Sequence, residues 1–448
     1  MRPPNKKRFL LLAALLTVIL VAMLATLSIS GETPEDDAVI QVYSPFGLFS
    51  PGTIGALPGS AGTTMLEALG FNSTAEYQQY TLGLVNDLGV SWVRMDFIYD
   101  GWNFNEPAAY LSELHNNGIE VVGCVLPMNR FAPADLTSFN ESFRQLVHKY
   151  PWIKVWQIGN EPDLAWDNPE DYPRFFRAGQ QVVRQNCPDC RVALAGAGAR
   201  WPGQDFEGWS KSLELYDRFI EDIVSQDPGD PAPFDIIDMH FYDFYRTDSG
   251  MLVTLRQYAA LPRKHGLGSN IEFWITESAT PTGPVSWPAG SPTQTEEQQA
   301  TELVTRFVTM LGAQVKRVSW ARFFENYRYL ETEGGFFDHT GLIYNGIGAE
   351  AAEGIQPGTK KQGFYAYKLL IDKLNGCSQV NRLGDGKYLF YFTDEDRQPI
   401  YVLWDAGGTD PPDNLQGPVN VTDLAGNVIE THGESLTLGP SPIFVEQQ

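Results

Sequence analysis

From about residue 40 to residue 375 the chain alternates two kinds of apolar pattern. Short runs rich in β-branched and aromatic residues cover Val90–Met95, Ile119–Leu126, Lys154–Gly159, Val192–Gly196, Phe234–Phe241, Ile271–Glu277 and Val315–Phe323. Between them lie stretches whose apolar residues recur every three or four positions: Tyr77–Leu88, Ala108–Asn117, Leu136–Lys149, Tyr172–Gln185, Ser210–Ser225, Gly250–His265 and Thr295–Leu311. The short runs predict buried strands and the longer ones amphipathic helices. Repeated strand–helix units imply parallel strands with helices outside them. A first strand near Val42–Phe49 and a last helix at Gln362–Leu374 complete eight units, which suits a closed (β/α)8 TIM barrel. An open doubly wound sheet is the alternative, but no glycine-rich phosphate loop follows an early strand.

After Cys377 the pattern changes. Tyr388–Thr393, Ile400–Trp404, Val419–Asp423, Ser435–Leu438 and Ile443–Glu446 read as short strands separated by Gly, Asp, Asn and Pro turns. They predict a small antiparallel β-sandwich, some of whose strands pair with residues just before the barrel. The expected α/β organisation is therefore a linker over 31–40, a barrel over 41–376 and a β-sandwich domain over 377–448.

The first thirty residues read as a targeting segment. Arg2, Lys6, Lys7 and Arg8 precede an uncharged run from Phe9 to Ile29, and Ser28-Ile29-Ser30 offers small residues for cleavage. A cleaved signal peptide and a retained membrane anchor through residues 9–29 both fit, and either places the rest outside the cytoplasm. In that setting Cys187-Pro188-Asp189-Cys190 is a candidate local disulfide, a redox motif or half a zinc site. No second Cys/His pair at ligand spacing accompanies it, so no metal is expected. Cys124 lies in an apolar run and reads as core. Asn72, Asn140 and Asn420 begin glycosylation sequons. The net charge of -23 argues against nucleic acid or an anionic membrane surface as a partner. Aromatic residues are abundant enough to form both a core and flat faces for sugar rings. Oligomeric state is not legible.

The chemistry concentrates at strand ends. Trp156-Gln157-Ile158-Gly159-Asn160-Glu161-Pro162 places an amide and a carboxylate where Pro162 stops the fourth strand. Trp274-Ile275-Thr276-Glu277 ends the seventh strand in another carboxylate. Because carboxyl ends of barrel strands converge on one mouth, the candidate site gathers Arg94, Asp96, Asn160, Glu161, His240, Tyr242, Glu277 and Trp320. Each has a structural alternative: Arg94 and Asp96 as a buried ion pair, His240 as a satisfied core histidine, Trp320 as packing. Asn105-Glu106-Pro107 repeats the tripeptide, but no apolar run leads into it, and it reads as a helix start.

The Trp-x-Ile-x-Asn-Glu-Pro and Trp-Ile-Thr-Glu motifs, with His240-Phe241-Tyr242 on the sixth strand, resemble the retaining glycoside hydrolases of clan A. The resemblance covers roughly residues 40 to 375 and is nearest to family 39, which includes β-xylosidases, or to the endoglycanases of family 5. Ser319-Trp320-Ala321-Arg322-Phe323-Phe324 departs from both patterns. The resemblance implies cleavage of β-glycosidic bonds without a cofactor. It implies Glu161 as general acid/base, Glu277 as nucleophile, Asn160 on the sugar 2-hydroxyl, and Arg94 and Tyr242 as donors to Glu277. His240 would support the rim or bind substrate, and Trp320 would lie beneath the sugar ring. A non-catalytic carbohydrate-binding barrel and a cell-surface transglycosylase share these residues as alternatives.

Overall fold

The computed structural model describes residues 44–51, 66, 70–128, 133, 135–200, 206–226, 232–243, 248–283, 285, 293–325, 335–346 and 352–448. The expected targeting segment lies outside them. No helix among the described residues is long and apolar enough to cross a membrane.

Eight parallel strands form the barrel: β1 (Phe46–Phe49), β2 (Trp92–Tyr99), β4 (Glu120–Pro127), β5 (Val155–Ile158), β6 (Arg191–Leu194), β8 (Ile236–Phe241), β9 (Glu272–Ser278) and β10 (Arg317–Ala321). β1 pairs with both β10 and β2, which closes the ring. Two short additions decorate it. β3 (Phe104–Asn105) folds back antiparallel on β2, and β7 (Ala197–Arg200) pairs parallel with β8. The repeated tripeptide begins on the second residue of this two-residue strand and ends at Pro107, which caps the helix Ala108–Asn116, so it is a helix start as expected; Glu106 ion-pairs with Lys149.

The helices follow the three–four pattern closely. Leu136–Lys149 begins where Asp135 accepts the amides of Thr137 and Ser138. The helix Glu296–Gly312 begins at a capping box of Thr295 and Gln298. The expected helix over Gly250–His265 is two, Asp248–Ala259 and Leu261–Lys264. Pro262 has no amide proton to continue the first and sits in the opening turn of the second.

The C-terminal domain is one six-stranded antiparallel sheet in the order β11 (Cys377–Gly384), β12 (Lys387–Phe392), β13 (Ile400–Leu403), β16 (Ile443–Gln447), β14 (Pro418–Thr422), β15 (Val428–His432). The expected strand at Ser435–Leu438 does not form. Gly433–Ser435 is a single 3-10 turn, and Leu438 instead lends its side chain to the domain's small core. Among the described residues the six strands pair only with one another, not with residues preceding the barrel.

Strand alternation gives this sheet two apolar faces. Leu389, Tyr401, Leu403, Val421 and Val445 join Leu415 and Leu438 in a local core. Tyr388, Phe390, Val402, Trp404 and Phe444 instead belong to the barrel's core. The Tyr388 ring lies against Gly312, where an added Cβ would stand 2.4 Å from it, so only glycine allows this approach. The linker between domains is short: the helix Gln362–Leu374 ends two residues before β11.

Candidate active site

The mouth of the barrel is charged and almost fully hydrogen-bonded. Arg94, the third residue of β2, with no exposed surface, is its hub. Its Nη1 donates to Glu277 Oε1 at 2.6 Å and its Nε to Gln157 Oε1 at 2.5 Å. Its Nη2 donates to Asn160 Oδ1 at 2.5 Å and reaches Cys124 Sγ at 3.1 Å. One guanidinium therefore holds strands β2, β4, β5 and β9 in register. It also fixes the Asn160 amide with its oxygen inward, which leaves Nδ2 as the donor for a ligand.

Glu277 receives a second donor, the Tyr242 hydroxyl, on Oε2 at 2.6 Å. Burial opposes its ionisation. Nearby His240 and Arg94 and the Tyr242 hydrogen bond overcome that, and they hold its carboxyl below the ordinary range. The Glu277 side chain is thus an ionised carboxylate with 9% of its surface exposed.

Glu161 stands where β5 has ended. Its backbone is left-handed, with φ 41° and ψ 55°, a conformation that costs a non-glycine residue about 1–3 kcal/mol. Its amide donates to Gly196 O at 3.1 Å, and Pro162 starts a short helix behind it. The strain turns the side chain back over the mouth. There Oε1 meets His240 Nδ1 at 2.8 Å. The side chain keeps 17% exposure, so it is the more open of the two glutamates.

His240 lies between them. Its Nε2 is 3.5 Å from Glu277 Oε1 and 3.7 Å from Asp238 Oδ2. Burial would depress its pKa, but Glu277, Asp238 and Glu161 push it up to about 10, so the ring is an imidazolium at neutral pH. Gly196 makes room for it: a Cβ there would fall 2.1 Å from Nε2. One oxygen each of Glu161 and Glu277 and one ring nitrogen of His240 lie within 4.8 Å of one another. Two carboxylates and an imidazole are a metal-ligand set by type. Here both Glu277 oxygens already accept from protein donors and a guanidinium supplies the positive charge, so these residues do not fit a cation. The sulfurs of Cys187 and Cys190 are joined in a disulfide, which removes them as ligands.

The structure therefore brings together Arg94, Asn160, Glu161, His240, Tyr242 and Glu277. Asp96 is at the edge, 3.7 Å from Arg94; burial raises its pKa against the pull of that arginine. Trp320 is the correction. It has no exposed surface, its Nε1 donates to Thr340 O at 2.9 Å, and its ring packs on Phe307 of the helix layer. It offers no face to a sugar.

Several site residues were not among the candidates. Gln157 donates to Asp238 Oδ2 at 2.6 Å, and Asp238 also accepts the Thr276 amide and hydroxyl at 2.9 and 2.5 Å. Asp163 accepts the Gly198 amide at 3.1 Å, and burial pushes its carboxyl up to about 6. Arg322, just past β10 with φ 76°, carries its guanidinium over the rings of Phe49 and Phe337. Its charge helps hold Glu277 below the ordinary range and partly opposes the rise that burial imposes on Asp96.

No family model matches the chain, and no curated protein does. Solved structures do. A family 39 glycoside hydrolase from Bacteroides cellulosilyticus superposes with TM-score 0.63 at 15% identity, over 91% of this chain and 81% of that one. A glucosidase from Croceicoccus marinus gives 0.59 at 13%, over 91% and 96%. A family 51 α-L-arabinofuranosidase from Bifidobacterium longum gives 0.56 at 13%, over 91% and 97%. At such identities the likeness establishes the fold alone.

Proposed function

We propose that the chain is a retaining glycoside hydrolase in which Glu161 is the general acid/base and Glu277 the nucleophile. The observation that carries this is the approach of the two carboxylates to within 4.8 Å across one mouth, with Glu277 ionised. Retaining enzymes hold the pair about 5–5.5 Å apart, whereas inverting enzymes leave roughly 6.5–9.5 Å for a water. The names of the three similar structures support carbohydrate as the substrate class.

In the first step Glu161 gives its proton to the glycosidic oxygen while a Glu277 oxygen attacks the anomeric carbon. The bond to the leaving group breaks, the alcohol departs, and a glycosyl ester remains on Glu277. In the second, Glu161 takes a proton from water as its oxygen attacks the same carbon. The ester breaks, and the configuration is retained. Arg94 and Tyr242 keep Glu277 charged and aimed. Asn160 Nδ2 is placed for the 2-hydroxyl. A sugar hydroxyl replacing water would give transglycosylation on the same residues.

Azide rescue tests the roles. Glu277→Gly should abolish turnover and, with azide, form a glycosyl azide of inverted configuration. Glu161→Ala should keep activity on good leaving groups and give the retained azide. Swapped products would reverse the roles, and no rescue with full residual activity would remove both. An unreactive carbohydrate-binding barrel would show no turnover at all.

We also propose that the protein works outside the cytoplasm, secreted or held by residues 9–29. The Cys187–Cys190 disulfide supports an oxidising compartment. Amino-terminal sequencing of the mature protein and membrane fractionation test this; an intact protein soluble in the cytoplasm would contradict it.

A further inference from the structure

Among the described residues Trp102 is the most exposed large hydrophobic side chain, at 79%. It sits in the hairpin between β2 and β3, on the mouth side of the barrel. Phe97 pairs with Val125 and Val125 with Ile158, so β2, β4 and β5 end side by side at the mouth. Trp102 comes three residues after the end of β2. β2 is two strands from β5, about 10 Å around the rim. Met128, 56% exposed, comes just after β4, the one strand between them, and Leu164, 43% exposed, lies in the short helix that follows β5. Three consecutive strands are thus followed by an exposed apolar side chain on the Glu161 side.

Trp102 is also held. Asp100 Oδ1 accepts the amides of both Trp102 and Asn103 at 2.8 Å. The Asp100 amide donates to Asn103 O at 3.0 Å, and Ser142 Oγ donates to Trp102 O at 2.9 Å. The Tyr99 hydroxyl donates to Gly101 O at 2.8 Å. A flexible loop would fold an indole down onto the protein; this one fixes the backbone and leaves the ring in water.

We infer that Trp102 is a stacking platform for a sugar residue of an extended glycan, remote from the bond being cut, with Met128 and Leu164 along the path. This rests on the proposed glycosidase reading and deepens it: the substrate is an oligo- or polysaccharide chain that crosses the rim over β5, β4 and β2. A flat apolar ring face pairs with the C–H face of a pyranose while the sugar hydroxyls stay in water. No charged group is needed, which suits a neutral chain.

The test compares a small substrate with a long one. Trp102→Ala should leave kcat/KM on an aryl monosaccharide glycoside within about twofold, and lower kcat/KM on oligosaccharides long enough to reach the rim by about tenfold, mostly through KM. Trp102→Tyr should recover most of the loss. Equal effects on both substrates, or none on either, would overturn the inference. Binding is read separately. Oligosaccharide added to the inactive Glu277→Gln protein should perturb tryptophan fluorescence, and Trp102→Ala in that background should remove the perturbation. Perturbation without turnover in the wild type would sink the glycosidase reading and leave the platform standing. Turnover with an unchanged fluorescence response in the Trp102→Ala background would sink the platform alone.

Discussion

The barrel interior holds two layers, one above the other on the same strands. The lower is Trp92, Val122, Val155, Ala193, Ile236 and Trp274, a closed apolar plug. The upper, two residues further along each strand, is Arg94, Cys124, Gln157, Ala195, Asp238 and Thr276. Because side chains alternate, the step of two keeps the same face and rises about 6.6 Å. Within that step the interior passes from dry packing to a network that fixes Glu277, Asn160 and His240. The lower layer shows what holds the ring closed. The upper shows that four of these strands, at Arg94, Gln157, Asp238 and Thr276, surrender apolar filling to build the floor of a site, while Cys124 and Ala195 keep it. Stability and chemistry are thus separated by height rather than by domain.

Substitutions can break or sharpen that separation. The largest effect belongs above: Glu277→Gln should cost turnover on the order of 10^4-fold or more, with the fold retained, as checked by kcat and circular dichroism. Next comes Trp274→Ala below. Trp274 is tilted against Trp92 at 5.9 Å, and its loss should cost about 3–5 kcal/mol in denaturant melts. The folded fraction should keep kcat. A large loss of kcat where the protein is still folded would show that the layers are coupled.

Gln157→Leu is intermediate. It leaves the Arg94 Nε and the Leu194 carbonyl without partners, a penalty of about 1–3 kcal/mol. It should also slow turnover about tenfold, equivalent to about 1.4 kcal/mol in the barrier, because Arg94 loses one of its anchors. Unfolding and kinetic measurements on one variant would show whether both losses appear together.

The last effect is in pH. His240 is raised from 6.5 to about 10, so its stabilisation is complete below pH 6.5 and is lost as pH rises through about 10. Glu277 is lowered from 4.5, so its contribution is present above that value and is lost as pH falls through the depressed one. Chemical-denaturation stability should therefore decline on both sides, and His240→Gln should flatten the alkaline decline and, by removing a charge that depresses Glu277, soften the acid decline as well. An alkaline decline unchanged by that substitution would place its source elsewhere.

The strand ends were legible because each β-branched run stops at a turn residue or a proline. That exposed Asn160, Glu161 and Glu277, and with them most of the mouth. The layer beneath was not. Gln157, Asp238 and Thr276 sit inside apolar runs, where a single polar residue carries no hint of its partners across the barrel. Trp320 failed for a different reason. Arg317-Val318-Ser319-Trp320 alternates, which sets Val318 and Trp320 on one face, but sequence does not say which face looks into the barrel. In the structure Arg317 points inward, over Trp92 and Trp274, which turns Trp320 out to the helices. Arg322 reaches the mouth only through a left-handed backbone that no pattern predicts.

The closure of β1 onto both β2 and β10 has a consequence during synthesis. β2 follows β1 by about one helix, but Val318, the partner of Phe46, lies 272 residues later (318 − 46). At about 5–20 residues per second, roughly 14–54 s separate the emergence of the two from the ribosome. Throughout that interval one edge of the wholly apolar Phe46–Phe49 strand has backbone donors and acceptors with no native mate. A nascent chain of this protein is thus a one-sided template for strand addition, and its yield should respond to elongation rate and to chaperone supply more than to the stability of the finished ring.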